Sequence, residues 1–260
     1  MNLEPNGISG LRKLLQRVSL RARSAWHKGT VAPQLTPISV KTNRYEYKAV
    51  WTRLSNTDES ARLSVLGVVD EDRVRATAEV TIQWLEASVG IKPDDVILEI
   101  GCGIGRVGQV LAPRCKHWIG CDVSPNMLKF ARQRLASFNN VSFVEISGFD
   151  LRPIPDASVD LVYCTVVFMH LDEWDRYNYV LEAYRVLRPG GRVFVDNFNL
   201  CTDEGWEVFE THRKIAPKHR PPYIGKSSTP QEITTYLQRA GFQEVEIMEH
   251  QTWLQGYGVK

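Results

Sequence analysis

The chain has 260 residues, 43% of them hydrophobic, with a formal net charge of +2. That is enough apolar material for one α/β core of about 170 residues plus extensions, and the charge speaks neither for nor against a nucleic-acid partner. The five cysteines are odd in number and lack a C-x-x-C pair, which excludes a disulfide framework and a structural zinc and predicts a reducing, cytoplasmic setting; no apolar run approaches the ~20 residues that span a bilayer.

The charge is unevenly placed. Residues 1–45 hold eight Lys/Arg and one acid, a net +7 within the total of +2, which leaves −5 for the rest. Residues 8–27 have helical periodicity: Ile8, Leu11, Leu14, Leu15, Val18, Ala22, Ala25 and Trp26 fall within an arc of roughly 120° at 100° per residue. Residues 1–28 therefore form a basic amphipathic segment with three readings. It packs on the domain, the ordinary fate of such helices; it lies on an anionic membrane with Trp26 at the interface; or it is an organellar presequence. Residues 29–70 follow as a Gly/Pro/Ser/Thr-rich linker and an aromatic cover segment containing Tyr45, Tyr47 and Trp51.

The remainder, 71–260, alternates. A helix capped by Asp70 or Asp72 runs to about Val89, with Gly90 as its stop. Strand 96–100 leads to helix 106–113, and strand 117–121 to helix 125–136, with Ser124 as N-cap and Pro125 at the first position. Strands 141–146 and 159–166 precede helix 173–187, closed by Pro189-Gly190-Gly191. Strand 192–198, a helix opened by Thr229-Pro230 and ended by Gly241, and two strands at 242–249 and 252–259 complete the chain. Apolar strands alternating with amphipathic helices predict an α/β fold with a parallel sheet covered on both faces. The last two strands predict a C-terminal hairpin that adds an antiparallel strand at one edge.

In open sheets of this kind, ligands bind at the carboxyl ends of the strands. The stretch VILEIGCGIGRVG, 96–108, is a strand, a glycine turn and a helix start. Gly101, Gly103 and Gly105 let the chain turn tightly against a ligand, and the following helix start favours a carboxylate or phosphate. Asp122 stands 19 residues after Gly103 at the end of the next strand, near the spacing at which an acid grips ribose hydroxyls. Packing of helix on strand is the alternative role for the glycines. GIGRVG also satisfies the dinucleotide fingerprint, so a nicotinamide dinucleotide competes as ligand. Glu99, two residues before Gly101, would repel a pyrophosphate but suits the sulfonium and ammonium of S-adenosylmethionine.

EIGCGIG, with CDVSPNML, PDASVDLVYC and LRPGGRVFVDNF following in order, resembles the class I S-adenosylmethionine-dependent methyltransferases over roughly residues 72–260. The resemblance implies a Rossmann-like, doubly wound, mostly parallel seven-stranded sheet with the last strand antiparallel. It also implies a cofactor site in which Glu99, Gly101, Cys102, Gly103 and Gly105 surround the methionine part and Asp122, with Val123 and Met127 beyond it, holds the ribose. Many members carry an acid after the third strand that meets adenine; here ISGFDL puts Ser147 in that place, with Gly148 and Phe149 left to frame the base and Asp150 to compensate. Thr165 and Val166, with Val167, then lie beside the sulfonium.

Methyl transfer needs a nucleophile aligned with the breaking C–S bond. An oxygen acceptor must also lose a proton, an amine need only be neutral, and a carbon acceptor needs an activated neighbour. His170, at the entrance of the helix after the fourth strand, and His212 and His219, in the segment 199–228 that would lie over the cofactor mouth, are the candidates for proton transfer. Each has a purely structural role, or for the latter two a solvent-facing one, as its alternative. No Asn-Pro-Pro-Tyr-type motif follows the fourth strand, where the sequence is CTVV. Together with the acidic body this favours a small-molecule acceptor over nucleic acid. A nicotinamide-dependent oxidoreductase and a non-catalytic cofactor-binding module at a membrane are the rival functions.

Overall fold

The computed structural model describes residues 46–67 and 69–260. The amphipathic segment 8–27 and the linker 29–43 lie outside the described residues. The aromatic cover segment is helical: α1 spans Tyr47–Leu54 and α2 spans Asp58–Leu66. Thr57 caps α2 reciprocally with Ser60, and Gly67, left-handed at φ 67°, ends it. Helix α3, Glu71–Ser88, starts at Asp70, whose carboxylate accepts the Arg73 N–H. There follow β1 Val96–Ile100, α4 Arg106–Leu111, β2 His117–Asp122, α5 Pro125–Arg134, β3 Val141–Glu145, β4 Val159–Cys164, α6 Glu173–Val186 and β5 Leu187–Asn199. The chain closes with α7 Asp203–Arg213, a two-residue β6 Ser227–Ser228, α8 Pro230–Ala240, β7 Gln243–His250 and β8 Trp253–Val259.

The main sheet runs β3-β2-β1-β4-β5-β8-β7, with β6 added beside the end of β5. Pairings from β3 to β5 are parallel, and β8 is antiparallel to both neighbours. This is the doubly wound Rossmann-like sheet with its C-terminal hairpin. The strand order reverses after β3, between β1 and β4, so the carboxyl ends of those two strands open a crevice.

Alternation along the strands divides the core. Ile97, Leu161, Tyr163 and Phe194 pack with Ala78, Ile82 and Leu85 of α3 and with α4 on one face. Leu98, Ile100, Val162, Cys164 and Val195 pack with Tyr179, Val180 and Ala183 of α6 and with Ile233 and Leu237 of α8 on the other. Such a sheet, buried on both faces, needs the near-continuous apolar runs the chain supplies.

The start of β5 differs from the sequence expectation by five residues. Pro189-Gly190-Gly191 does not separate α6 from β5; it lies within the strand. The C-terminal residue explains this: the Gly190 N–H donates to the Lys260 carbonyl and the Lys260 N–H to the Gly191 carbonyl, both at 2.8 Å. The Lys260 ammonium also reaches the carbonyls of Tyr184 at 2.6 Å and Leu187 at 2.7 Å, closing the end of α6. Within segment 199–228, the first half forms α7, capped by Thr202.

Candidate active site

The glycine turn follows β1 directly. Gly101, Gly103 and Gly105 are all left-handed, at φ 73°, 52° and 75°, a conformation that a side chain disfavours. Their surroundings differ. A Cβ on Gly101 would lie 2.3 Å from Cγ2 of Val167, on Gly103 3.1 Å from Val65, and on Gly105 2.5 Å from Leu135 and 3.2 Å from Ala131. Gly105 is thus a packing glycine under α5. Gly101 and Gly103 line a cavity at the carboxyl ends of β1 and β4.

Asp122 ends β2 on the cavity wall. Its carboxylate accepts the Gly103 N–H at 2.9 Å and the Ser124 N–H at 2.8 Å. Burial raises it to about 6, against the pull of the N–H groups of Ser124, Gly103 and Val123. Ser124 in turn accepts from the Met127 N–H and pairs with Ser55 at 2.9 Å, which fastens the α1–α2 cover to the start of α5. That cover supplies Tyr47, Trp51, Ser64 and Val65 to the cavity. The aromatic signal at 45–51 marked the segment, but its partner across the fold is non-local and invisible in sequence.

Of the other predicted residues, Val123, Met127, Gly148, Val166 and His170 line the cavity, along with Val167. Ile146, Leu171 and Tyr179, not anticipated, complete its apolar wall. Cys102 is buried without reaching it, and its N–H donates to the Cys121 carbonyl. Ser147 accepts the N–H groups of Phe149 and Asp150 and donates to the Asp150 carboxylate. The Phe149 ring is 54% exposed and Asp150 pairs with Arg152. That turn therefore satisfies itself and presents only Gly148 to the cavity.

Thr165 is buried behind the wall, with its hydroxyl unpartnered. His212 is bonded through Nδ1 to the Gly225 carbonyl at 3.0 Å, and His219 sits on an exposed 3-10 turn, Pro217–His219; neither lines the cavity. His170 does. Its Nδ1 is 2.9 Å from the Tyr223 carbonyl and its ring meets Trp51 edge-on at 4.8 Å. A carbonyl only accepts, so Nδ1 carries the proton and Nε2 is the basic atom. Burial pushes His170 down to about 4, which keeps the ring neutral at physiological pH.

Glu99 requires a correction. It shares a sheet face with Ile97 and Tyr163 and is absent from the cavity wall. The Tyr163 hydroxyl donates to its Oε2 at 2.5 Å and receives the Trp118 indole N–H. Burial raises Glu99 to about 8, opposed by Tyr163 and by the nearby Arg106. Burial thus favours its neutral form, and the side chain stands outside the cavity. The cavity itself makes the discrimination instead. Among the described residues no lysine or arginine lines it and Asp122 is its one acid, so it offers no cationic side chain to a pyrophosphate.

These values set a pH dependence. Asp196, on β5, is likewise raised by burial, to about 7. Unfolded, both acids titrate near about 4, so between there and about 8 the folded chain holds the extra protons and stability falls as pH rises. His170 works oppositely, but its contribution is complete above about 6.5, the unfolded value. Stability to urea is therefore expected to decline from pH 6.5 to 8, and Glu99→Gln to flatten the decline. A wild-type stability that climbs across that interval would contradict the assignment.

Fold and cavity together define a doubly wound α/β protein with a mainly apolar cleft at the carboxyl edge of its sheet. Residues 98–195 match the family model of a methyltransferase domain. The chain is 23% identical over 193 residues to phosphoethanolamine N-methyltransferase 1 of Zea mays, covering 68% of this chain but 38% of that one. It is 29% identical to the human thiol S-methyltransferase TMT1A over 63% of this chain and 70% of the relative. A crystal structure of an S-adenosylmethionine-dependent methyltransferase from Thermotoga maritima superposes with a TM-score of 0.59 at 21% identity, over 82% of this chain and 99% of that one. This chain spans well under half the length of the maize enzyme. Residues 98–195 are thus a methyltransferase domain, similar to proteins named as S-adenosylmethionine-dependent methyltransferases. Among the described residues no helix is long and apolar enough to cross a membrane, and no group of His, Cys, Asp and Glu is arranged to hold a metal.

Proposed function

We propose that the chain methylates a small, uncharged acceptor whose nucleophilic sulfur or oxygen carries its own acidic proton, such as a thiol or a phenol. The observation that carries this is one cavity joining the glycine turn and Asp122 to a neutral imidazole, with an otherwise apolar wall. When bound, S-adenosylmethionine supplies an electrophilic methyl on a sulfonium. Gly101, Gly103 and Asp122 hold its nucleoside and methionine parts, and the α1–α2 cover excludes water. Among the described residues the wall offers no counter-charge to a phosphorylated acceptor.

His170 supplies the acceptor side. An imidazole held near 4 is too weak a base for an alkanol but can orient the hydrogen of a thiol or phenol through Nε2 and take it as the nucleophile reacts. The human thiol S-methyltransferase is consistent with such an acceptor. Incubation with methyl-labelled donor and an arylthiol, a phenol or phosphoethanolamine tests the proposal, with S-adenosylhomocysteine release as the readout. Turnover is expected with the thiol or phenol, and His170→Ala is expected to lower kcat by about 10- to 100-fold with little change in donor affinity. Turnover with phosphoethanolamine alone, or none with any of the three, would defeat it.

A further inference from the structure

The chain leaves β4 through a strained residue. Val166 has φ 63°, a left-handed conformation that is a genuine outlier for a β-branched side chain. Such strain persists only where surrounding contacts impose it. Its N–H donates to Oδ1 of Asp196, on the adjacent strand β5, at 2.7 Å.

Asp196 is itself costly. It is 1% exposed, and its second oxygen has no partner, like the Thr165 hydroxyl beside it and both amide atoms of Gln255, its register partner on β8. A buried carboxylate with an unmatched oxygen destabilises a fold, and the preceding residues of the strand, Val193, Phe194 and Val195, are apolar and buried. Packing alone would be better served by another apolar residue.

What the bond achieves lies one and four residues further on. The Val166 kink brings Val167 down onto Gly101, into the space a Cβ would fill. The Val167 carbonyl then accepts the His170 N–H at 2.8 Å, opening the 3-10 turn Phe168–His170. Val166, Val167 and His170 all line the cavity. A single contact from outside the cavity thus shapes the wall on the donor side and places the imidazole on the acceptor side.

We infer that Asp196 is a positioning residue, whose carboxylate holds Val166 left-handed and thereby sets both walls of the methyl-transfer cavity. The inference rests on the methyl-transfer reading for the meaning of those walls, though not for the bond itself. Glycine adopts the left-handed conformation without strain, so at position 166 it needs no holding. Asparagine at position 196 keeps an acceptor oxygen; alanine does not.

The test is a double-mutant cycle on Asp196→Ala and Val166→Gly, with Asp196→Asn as the conservative variant. Affinity for S-adenosylhomocysteine by calorimetry, the thermal midpoint and exchange of the Val166 amide proton are read out. Asp196→Ala is expected to weaken binding about tenfold or more, and Asp196→Asn by less than about threefold. In the Val166→Gly background, Asp196→Ala is expected to lose far less, in affinity and midpoint alike. Additive losses across the cycle, or an asparagine variant as impaired as alanine, would overturn the inference. Should Asp196→Ala fail to fold, the strain-relieved double variant and the wild-type amide still decide: rapid exchange at Val166 overturns it and protection supports it. A wild-type chain that binds no S-adenosylhomocysteine would instead defeat the cofactor site, leaving the midpoints and amide exchange to judge Asp196.

Discussion

Asp122→Ala is expected to weaken binding of S-adenosylmethionine and S-adenosylhomocysteine by about a hundredfold or more. The carboxylate has two tasks. It receives the Gly103 and Ser124 N–H groups, which fixes the glycine turn against the β2–α5 corner, and it stands on the cavity wall where ribose hydroxyls can donate to it. A hydrogen bond to a charged acceptor contributes about 1.5–3 kcal/mol, and leaving buried N–H groups unmatched adds about 1–3 kcal/mol. Loss of the ribose contacts alone therefore accounts for most of the hundredfold. The fold should survive, because burial already strains the carboxylate, raising it to about 6, and alanine removes that desolvation cost. Asp122→Asn, which keeps one acceptor oxygen, should fall between. Calorimetry with S-adenosylhomocysteine beside a thermal midpoint separates the effects; an alanine variant that binds like wild type would remove Asp122 from the site.

That site was only partly legible in the sequence. Strand β1 and the Ser124, Thr229 and Gly241 boundaries are set by local chemistry: an apolar run, an N-cap hydroxyl, a left-handed glycine. Such signals need no knowledge of the rest of the chain. Glu99 shows the limit. The alternation in VILEI already sets it on the face of Ile97, opposite Leu98 and Ile100, whereas its charge and the family resemblance argued for a place beside the ligand. Ser147, Phe149 and Asp150 were read by position, while the closed turn they form comes from hydrogen bonds among themselves. The docking partners of the aromatic cover, and the part Asp196 plays, were out of reach for a different reason. Tyr47 reaches Asp175, 128 residues away, and Asp196 meets Val166 only because β4 and β5 are neighbours in the sheet. Contacts made by topology leave no periodic trace.

Gly101→Ala tests whether the glycine turn shapes the cavity or merely packs the fold. Its new Cβ would stand 2.3 Å from Cγ2 of Val167, far inside contact distance, on a backbone at φ 73° that alanine disfavours. Both penalties fall where Val166 and Val167 form the wall, and together they are expected to cost about 2–4 kcal/mol of stability and to abolish measurable donor binding. Gly105→Ala is the comparison. Its Cβ would meet Leu135 and Ala131, under α5 and off the wall, so it should lose similar stability while the folded fraction still binds the donor. Pairing Gly101→Ala with Val167→Ala removes the steric part and leaves the backbone part, so stability should return only halfway. The measurements are urea denaturation and calorimetry on all three variants beside the wild type. If Gly101→Ala and Gly105→Ala lose donor affinity equally, the two glycines have the same task and Gly101 does not shape the site.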